Sequence, residues 1–178
     1  MPEENAAQVY NVLFLCTGNT SRSIIAEALL NKLGNGRFHA YSAGSSPKGH
    51  VHPMALEVLG SLGFPTDGVR SKSWDEFAPR TAPAMDFVFT VCDNAAGEVC
   101  PIWPGHPFTA NWGIEDPAAV EGEGQRDAFV QALHHLRSRI ALFMALPIES
   151  LDALALRAKI REIGELEGAT DTTKEWAQ

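Results

Sequence analysis

Apolar and polar positions follow two different periods along this chain. Val9 to Leu15, with Val12-Leu13-Phe14-Leu15 at its centre, is nearly continuous in apolar residues and predicts a buried parallel strand. Ile24, Ile25, Ala28, Leu29 and Leu33 then recur at helical spacing, so the stretch Ser23 to Leu33 predicts a helix. Arg37 to Ser42 predicts a second short strand that runs into the Ala43-Gly44 turn. A second helix is predicted to start at Pro53, a favoured first-turn residue. Met54, Ala55, Val58, Leu59 and Leu62 form its apolar stripe, and Gly63 stops it. Asp86 to Cys92 contains Phe87-Val88-Phe89-Thr90-Val91 and reads as a central strand with Cys92 at its C-terminal end. Pro101, Pro104, Gly105 and Pro107 make a loop, and Phe108 to Trp112 predicts a fourth strand. From Gln125 to Leu146, Ala128, Phe129, Ala132, Leu133, Leu136, Ile140 and Phe143 mark a long amphipathic helix ended by Pro147. A last helix is expected from Ser150 to Ile163, with the polar stretch Glu165 to Gln178 as a flexible tail.

Strands alternating with helices imply an α/β fold whose parallel sheet is covered on both faces. Ligands in such folds bind beyond the carboxyl ends of the strands. Cys16, Cys92 and Asp116 each follow a predicted strand, so the fold gathers them at one edge.

Length and composition narrow the class. At 178 residues and 45% hydrophobic, with no linker-like stretch, the chain reads as a single catalytic domain over 1–178, its core at about 9–164. A net charge of −8 argues against a nucleic-acid surface and makes any anion site a local feature that works against the overall field. Met1 to Ala7 carries two Glu and no basic residue, unlike a secretory leader, and no apolar run is long enough for a membrane span. A soluble cytoplasmic monomer is expected. Three cysteines in a reducing compartment read as free or redox-active thiols.

The first predicted strand ends in Cys16, and Thr17-Gly18-Asn19-Thr20-Ser21 separates it from Arg22 and Ser23 at the helix start. A nucleophile, a small polar loop and an arginine at a helix N-terminus together suit a tetrahedral oxyanion such as phosphate, arsenate or sulfate. Gly18 and Asn19 are residue types that accept positive φ and so let consecutive amides turn toward one point. Arg22 offers a planar fork for two oxygens. A helix N-terminus and a guanidinium are expected to lower the Cys16 thiol, with Ser23 donating a hydrogen bond to the sulfur. The loop's alternative reading is a buried strand-end thiol followed by a helix cap.

Attack on an oxyanion centre needs a proton for the departing oxygen. Asp116, in the sole Asp-Pro pair of the chain, is the candidate donor, and Glu115 beside it is a competitor. No metal site is expected, since His50, His52, His106, His134 and His135 lack spacings that converge on one centre. Trp103 and Trp112 are expected to pack loops. Lys48, Arg70, Lys72 and Arg80 are read as solvated surface, the alternative being that they add positive field near the site.

Cys16 to Ser23, followed by Ile24-Ile25-Ala26-Glu27-Ala28, resembles the signature of the low-molecular-weight protein tyrosine phosphatase fold. That resemblance implies a three-layer α/β/α arrangement around a four-stranded parallel sheet of order 2-1-3-4. The fold hosts tyrosine phosphatases and arsenate reductases. Val91-Cys92, Cys100-Pro101-Ile102 and Trp112-Gly113-Ile114-Glu115-Asp116-Pro117-Ala118 resemble segments of the reductases, whereas a phosphatase usually has tyrosines where Ala118-Ala119 stand.

By that resemblance Cys16 is the nucleophile, Arg22 the oxyanion clamp, and Cys92 and Cys100 the resolving thiols. Thr17, Gly18, Asn19, Thr20, Ser21, Arg22 and Ser23 bind the oxyanion. Arsenate is then the expected substrate, with phosphate or sulfate as analogues. No cofactor is expected to be bound, and thioredoxin or glutathione with glutaredoxin is the expected external thiol reductant. A low-molecular-weight phosphatase and a non-catalytic oxyanion or phosphopeptide-binding module are the alternatives.

Overall fold

The computed structural model describes residues 8–93, 103–171 and 173. Four strands, β1 (Tyr10–Cys16), β2 (Phe38–Gly44), β3 (Phe87–Thr90) and β4 (Phe108–Asn111), form one sheet in the order β2-β1-β3-β4. Every pairing is parallel, with Leu15 beside both Ala43 and Thr90, so the carboxyl ends of β1, β2 and β3 lie level. The order is the one that the sequence resemblance implies.

Four helices are described: α1 (Arg22–Leu33), α2 (Pro53–Ser61), α3 (Gln125–Met144) and α4 (Ala153–Gly164). Two of them, α2 and α4, begin at a side-chain cap. Pro53 supplies the first turn of α2, and the His52 ring accepts from Met54 N at 3.1 Å as its cap. The last helix starts later than its apolar pattern suggests, because Ile148–Ser150 closes as a 3-10 turn and the Asp152 carboxylate then caps α4 through Ala155 N at 2.8 Å.

Strand alternation sorts the core into two clusters. Val12, Phe14, Phe87 and Phe89 point to one face, where they meet Ile25 and Leu29 of α1, Leu133 and Phe143 of α3, and Ile160 of α4. Trp112 closes this cluster, stacked on Phe89 with ring centroids 3.9 Å apart and donating its indole N–H to Ile160 O at 2.9 Å. Leu13, Leu15 and Val88 point to the other face. There Phe77, Met85 and Trp103 cover them, with Trp74 against Trp103. Among the described residues that second layer is built from a 3-10 turn and loop side chains, while all four helices contribute to the first.

The start of the expected tail is tied back to the domain. Arg139 of α3 is fully buried, and its guanidinium donates to Leu166 O at 3.1 Å and Glu167 O at 3.2 Å. Ala169 then bridges Ile114 in antiparallel fashion. The polar side chains of this segment disguise a backbone that is anchored by a buried cation.

Gly164 lets α4 approach the end of β4, since a Cβ there would collide with Asn111 O and lie 3.0 Å from Trp112 Cδ1. Gly164→Ala gains helix propensity of about 1 kcal/mol, but the overpacking costs about 1–3 kcal/mol. We expect net destabilisation in urea unfolding; a stabilised variant would show that α4 has room to move.

Candidate active site

The oxyanion loop is shaped from outside. Its carbonyl oxygens are taken by the chain that follows β2: Ser46 N donates to Thr17 O at 3.0 Å, Lys48 N to Gly18 O at 3.1 Å and His52 N to Thr20 O at 2.9 Å. Among the described residues no amide from Gly18 to Arg22 donates to a protein acceptor. A peptide whose C=O is fixed outward presents its neighbour's N–H inward, so these donors ring the space above Cys16. Asn19 has φ 48°, the left-handed conformation expected of it. Gly18 does not share it; a Cβ there would make only ordinary contact with the Lys48 side chain, 3.6 Å away.

Beneath the loop, buried polar groups hold Asn19 from both ends. Asn19 Nδ2 donates to Ser23 Oγ at 2.8 Å, and Asn19 Oδ1 accepts from Lys72 N at 2.9 Å. Ser23 thus braces the loop; among the described residues it makes no hydrogen bond to the Cys16 sulfur, contrary to expectation. Lys72 is also not a solvated residue. It is 7% exposed, with Nζ 3.9 Å from Glu27 Oε1, while Ser42 Oγ donates to Glu27 Oε2 at 2.8 Å. Burial pushes the Glu27 carboxyl up and the Lys72 ammonium down, each opposed by the other's charge. Gly44 is required where β2 passes the loop, because a Cβ would collide with Thr17 O and stand 2.9 Å from Cys16 O.

Cys16 and Cys92 are both buried and both reduced, and they meet. Thr17 N donates to Cys92 Sγ at 3.3 Å, which places the second sulfur against the first residue of the loop. The hydrogen bond between the two thiols and the burial of Cys16 push the Cys16 thiol well above its ordinary value. The Arg22 charge and the Thr17 amide pull the other way. The lowered thiol expected from sequence is therefore not what this reduced pair shows. The reason is a neighbouring S–H that the sequence places only at the same sheet edge. Two thiols in contact lose their protons as a pair, the first ionisation opposing the second.

Arg22 opens α1 and is steered by the loop after β4: Nη1 donates to Ile114 O at 2.9 Å and Nη2 lies 3.8 Å from Asp116 Oδ2. Asp116 is set by its own turn, Oδ1 accepting from Ala118 N at 3.0 Å as Pro117–Ala119 closes a 3-10 helix. A cavity of about 340 Å³ is lined by Cys16, Thr17, Gly18, Thr20, Ser21, Arg22, Ser46, Lys48 and Asp116. Glu115 is exposed and is not among these residues. Lys48 takes the alternative reading, a positive charge near the site, and Ser46 is a lining residue that sequence reasoning missed; the pairing of β1 with β2 brings the residues after Gly44 beside the loop, and one sequence does not reveal which strands are neighbours. Cys100 lies outside the described residues. Among the described residues no group of three or more His, Cys, Asp or Glu side chains could hold a metal ion, and no helix is long and apolar enough to cross a membrane.

The thiol pair makes one titration diagnostic. Cys92→Ala removes the hydrogen bond that raises Cys16, so the pH midpoint of Cys16 alkylation by iodoacetamide should fall. A midpoint that stays in place or rises would contradict the coupling.

The arrangement has counterparts among known proteins. The family profile for low molecular weight phosphotyrosine protein phosphatases matches residues 11–155. An arsenate reductase of Bacillus licheniformis is 35% identical over 121 residues, which is 67% of this chain and 84% of that one. A thioredoxin-dependent arsenate reductase of Corynebacterium glutamicum superposes with a TM-score of 0.56 at 31% identity, covering 74% of this chain and 60% of that one. A structure described as an arsenate reductase in the phosphate-binding state gives a TM-score of 0.58 at 27% identity, over 74% and 97% of the two chains. With its loop, sheet order and these relatives in agreement, the chain belongs to the low molecular weight phosphotyrosine protein phosphatase family, alongside arsenate reductases.

Proposed function

We propose that this protein is a cytoplasmic, monomeric arsenate reductase that works as a single catalytic domain through an intramolecular thiol relay. The observation that carries this reading is the second buried sulfur, Cys92 Sγ, held at 3.3 Å from the Thr17 amide of the oxyanion loop. Hydrolysis of a phosphate ester has no use for such a thiol, whereas reduction of arsenic requires one. The arsenate reductase relatives, one of them thioredoxin-dependent, support the same choice.

In this reading the loop Thr17–Ser23 and the Arg22 guanidinium bind arsenate, the amides from Gly18 to Arg22 facing its oxygens, with Lys48 adding positive charge at the rim. Donors concentrated on the oxygens of the dianion leave arsenic open to in-line attack by the Cys16 thiolate. A sulfur–arsenic bond forms as an oxygen departs, protonated by Asp116, to leave as water. The Cys92 thiolate then attacks Cys16 Sγ. The sulfur–arsenic bond breaks with its electron pair going to arsenic, so arsenic(V) becomes arsenic(III) and a Cys16–Cys92 disulfide remains. Cys100 attacks Cys92 in turn, freeing Cys16 and moving the disulfide out of the anion site. Thioredoxin, or glutathione with glutaredoxin, reduces it; no bound cofactor takes part.

Low-molecular-weight phosphatase activity is the second reading, favoured by the family profile and by the Asp116-Pro117 turn beside the loop.

Three measurements separate these readings. Arsenite production should be catalytic with thioredoxin and its reductase, or with glutathione plus glutaredoxin. Cys92→Ser should abolish repeated turnover while sparing hydrolysis of an aryl phosphate. Sustained arsenate turnover by Cys92→Ser would reject the relay, and absence of turnover of any oxyanion would leave a binding module. Asp116→Asn should slow adduct formation about 10²–10⁴-fold in a single turnover; an unchanged rate would move the proton donor to Glu115 or solvent.

A further inference from the structure

The family profile ends at residue 155, yet the chain beyond it returns to the edge of the site. Ala169 bridges Ile114, and Thr170 N donates to Gly113 O at 3.1 Å. The Thr170 hydroxyl donates to Asp93 Oδ1 at 2.7 Å and lies 3.1 Å from the hydroxyl of Thr173, which reaches Gly113 O at 3.5 Å. Thr170 and Thr173 are 7% and 3% exposed.

Three segments meet at Gly113 with no slack. A Cβ there would stand 2.7 Å from both Asp93 Oδ1 and Thr173 Oγ1, and 3.0 Å from Thr170 Oγ1. Two of these segments lead to site residues. Asp93 follows Cys92 directly, Gly113 precedes the Ile114 carbonyl that holds Arg22, and Asp116 is three residues beyond Gly113. Packing alone would be served by valine, which has nearly the shape of threonine. Two buried hydroxyls, both bonded and both directed at this junction, indicate that polar registration is what the segment supplies.

We propose that Thr170 is a positioning residue: its bond to Asp93 straps the turn after β3 to the loop after β4 and so fixes the reach of Cys92 Sγ toward Cys16 Sγ. A carboxylate accepts a short, strong bond from a buried hydroxyl. Without it Asp93 turns to water and takes the Cys92 turn with it. Disulfide chemistry is sensitive to such a shift, because sulfur–sulfur bond formation demands a narrow geometry between the two Cβ atoms.

The role rests on Cys92 being the partner of Cys16, but it can be tested without arsenate. In a Cys100→Ser background, the reduced full chain is treated with diamide, an azo compound. Two thiols join as a disulfide while their two electrons and two protons pass to the N=N bond, giving a hydrazine. Formation of the Cys16–Cys92 bond is followed by peptide mass mapping.

Thr170→Val should slow that step about tenfold, and Thr170→Ser should restore it. Asp93→Ala, which cuts the same bond from its other end, should slow it similarly and add nothing when combined with Thr170→Val. Inorganic phosphate should bind each variant as it binds the parent, showing an intact loop. A parent rate of bond formation in both Thr170→Val and Asp93→Ala would overturn the strap and leave the relay standing. A parent protein that forms no Cys16–Cys92 bond at all would overturn the relay, and this role with it.

Discussion

The site depends on a constraint placed on oxygens that never touch a substrate. Thr17 O, Gly18 O and Thr20 O are each bonded to an amide of the segment between β2 and α2, and only because they are fixed outward do the loop's N–H groups face inward. The partner amides come from Ser46, Lys48 and His52, which follow β2, and β2 lies beside β1 throughout its length. Strand order is thus a functional property of this protein. A different neighbour for β1 would leave the same loop sequence with its carbonyls free to turn in and repel an anion.

Chemistry at the site is set by competition between burial and charge. The sulfur of Cys16 lies where a guanidinium and an amide favour the thiolate, yet burial and a second thiol favour the thiol. An enzyme that needed only one nucleophile would gain nothing from this. For a relay, a proton shared within the pair gives both sulfurs a route to ionisation, one for each step of attack. The buried Glu27–Lys72 pair beneath Asn19 is a further element that a surface reading of the charges missed.

What the sequence revealed and what it hid divide along a physical line. Short-range patterns were legible: the apolar run before Cys16, the helical spacing of Ile25 and Leu29, the Pro53 and Pro147 boundaries, and the extended Asp116 before Pro117 all reflect local sterics and periodicity. So was the small polar loop between β1 and α1, where Asn19 takes the left-handed conformation that its residue type accepts. Pairings across long separations were not legible. That Ser46 and Lys48 line the cavity, that Lys72 is buried against Glu27, and that a polar C-terminal segment is anchored by Arg139 all follow from which elements become neighbours. The partner of Ser23 was not legible either: its hydroxyl accepts from Asn19 Nδ2 rather than bonding the sulfur.

The central claim is that two buried thiols and an oxyanion loop together transfer two electrons to one arsenic. Its most direct measurement is a single turnover without any external reductant: fully reduced protein is mixed with excess arsenate, arsenite is counted, and the protein's disulfide is mapped in a Cys100→Ser background. One arsenite per chain with a Cys16–Cys92 bond is the predicted result. No arsenite, with both thiols still free, would contradict the account.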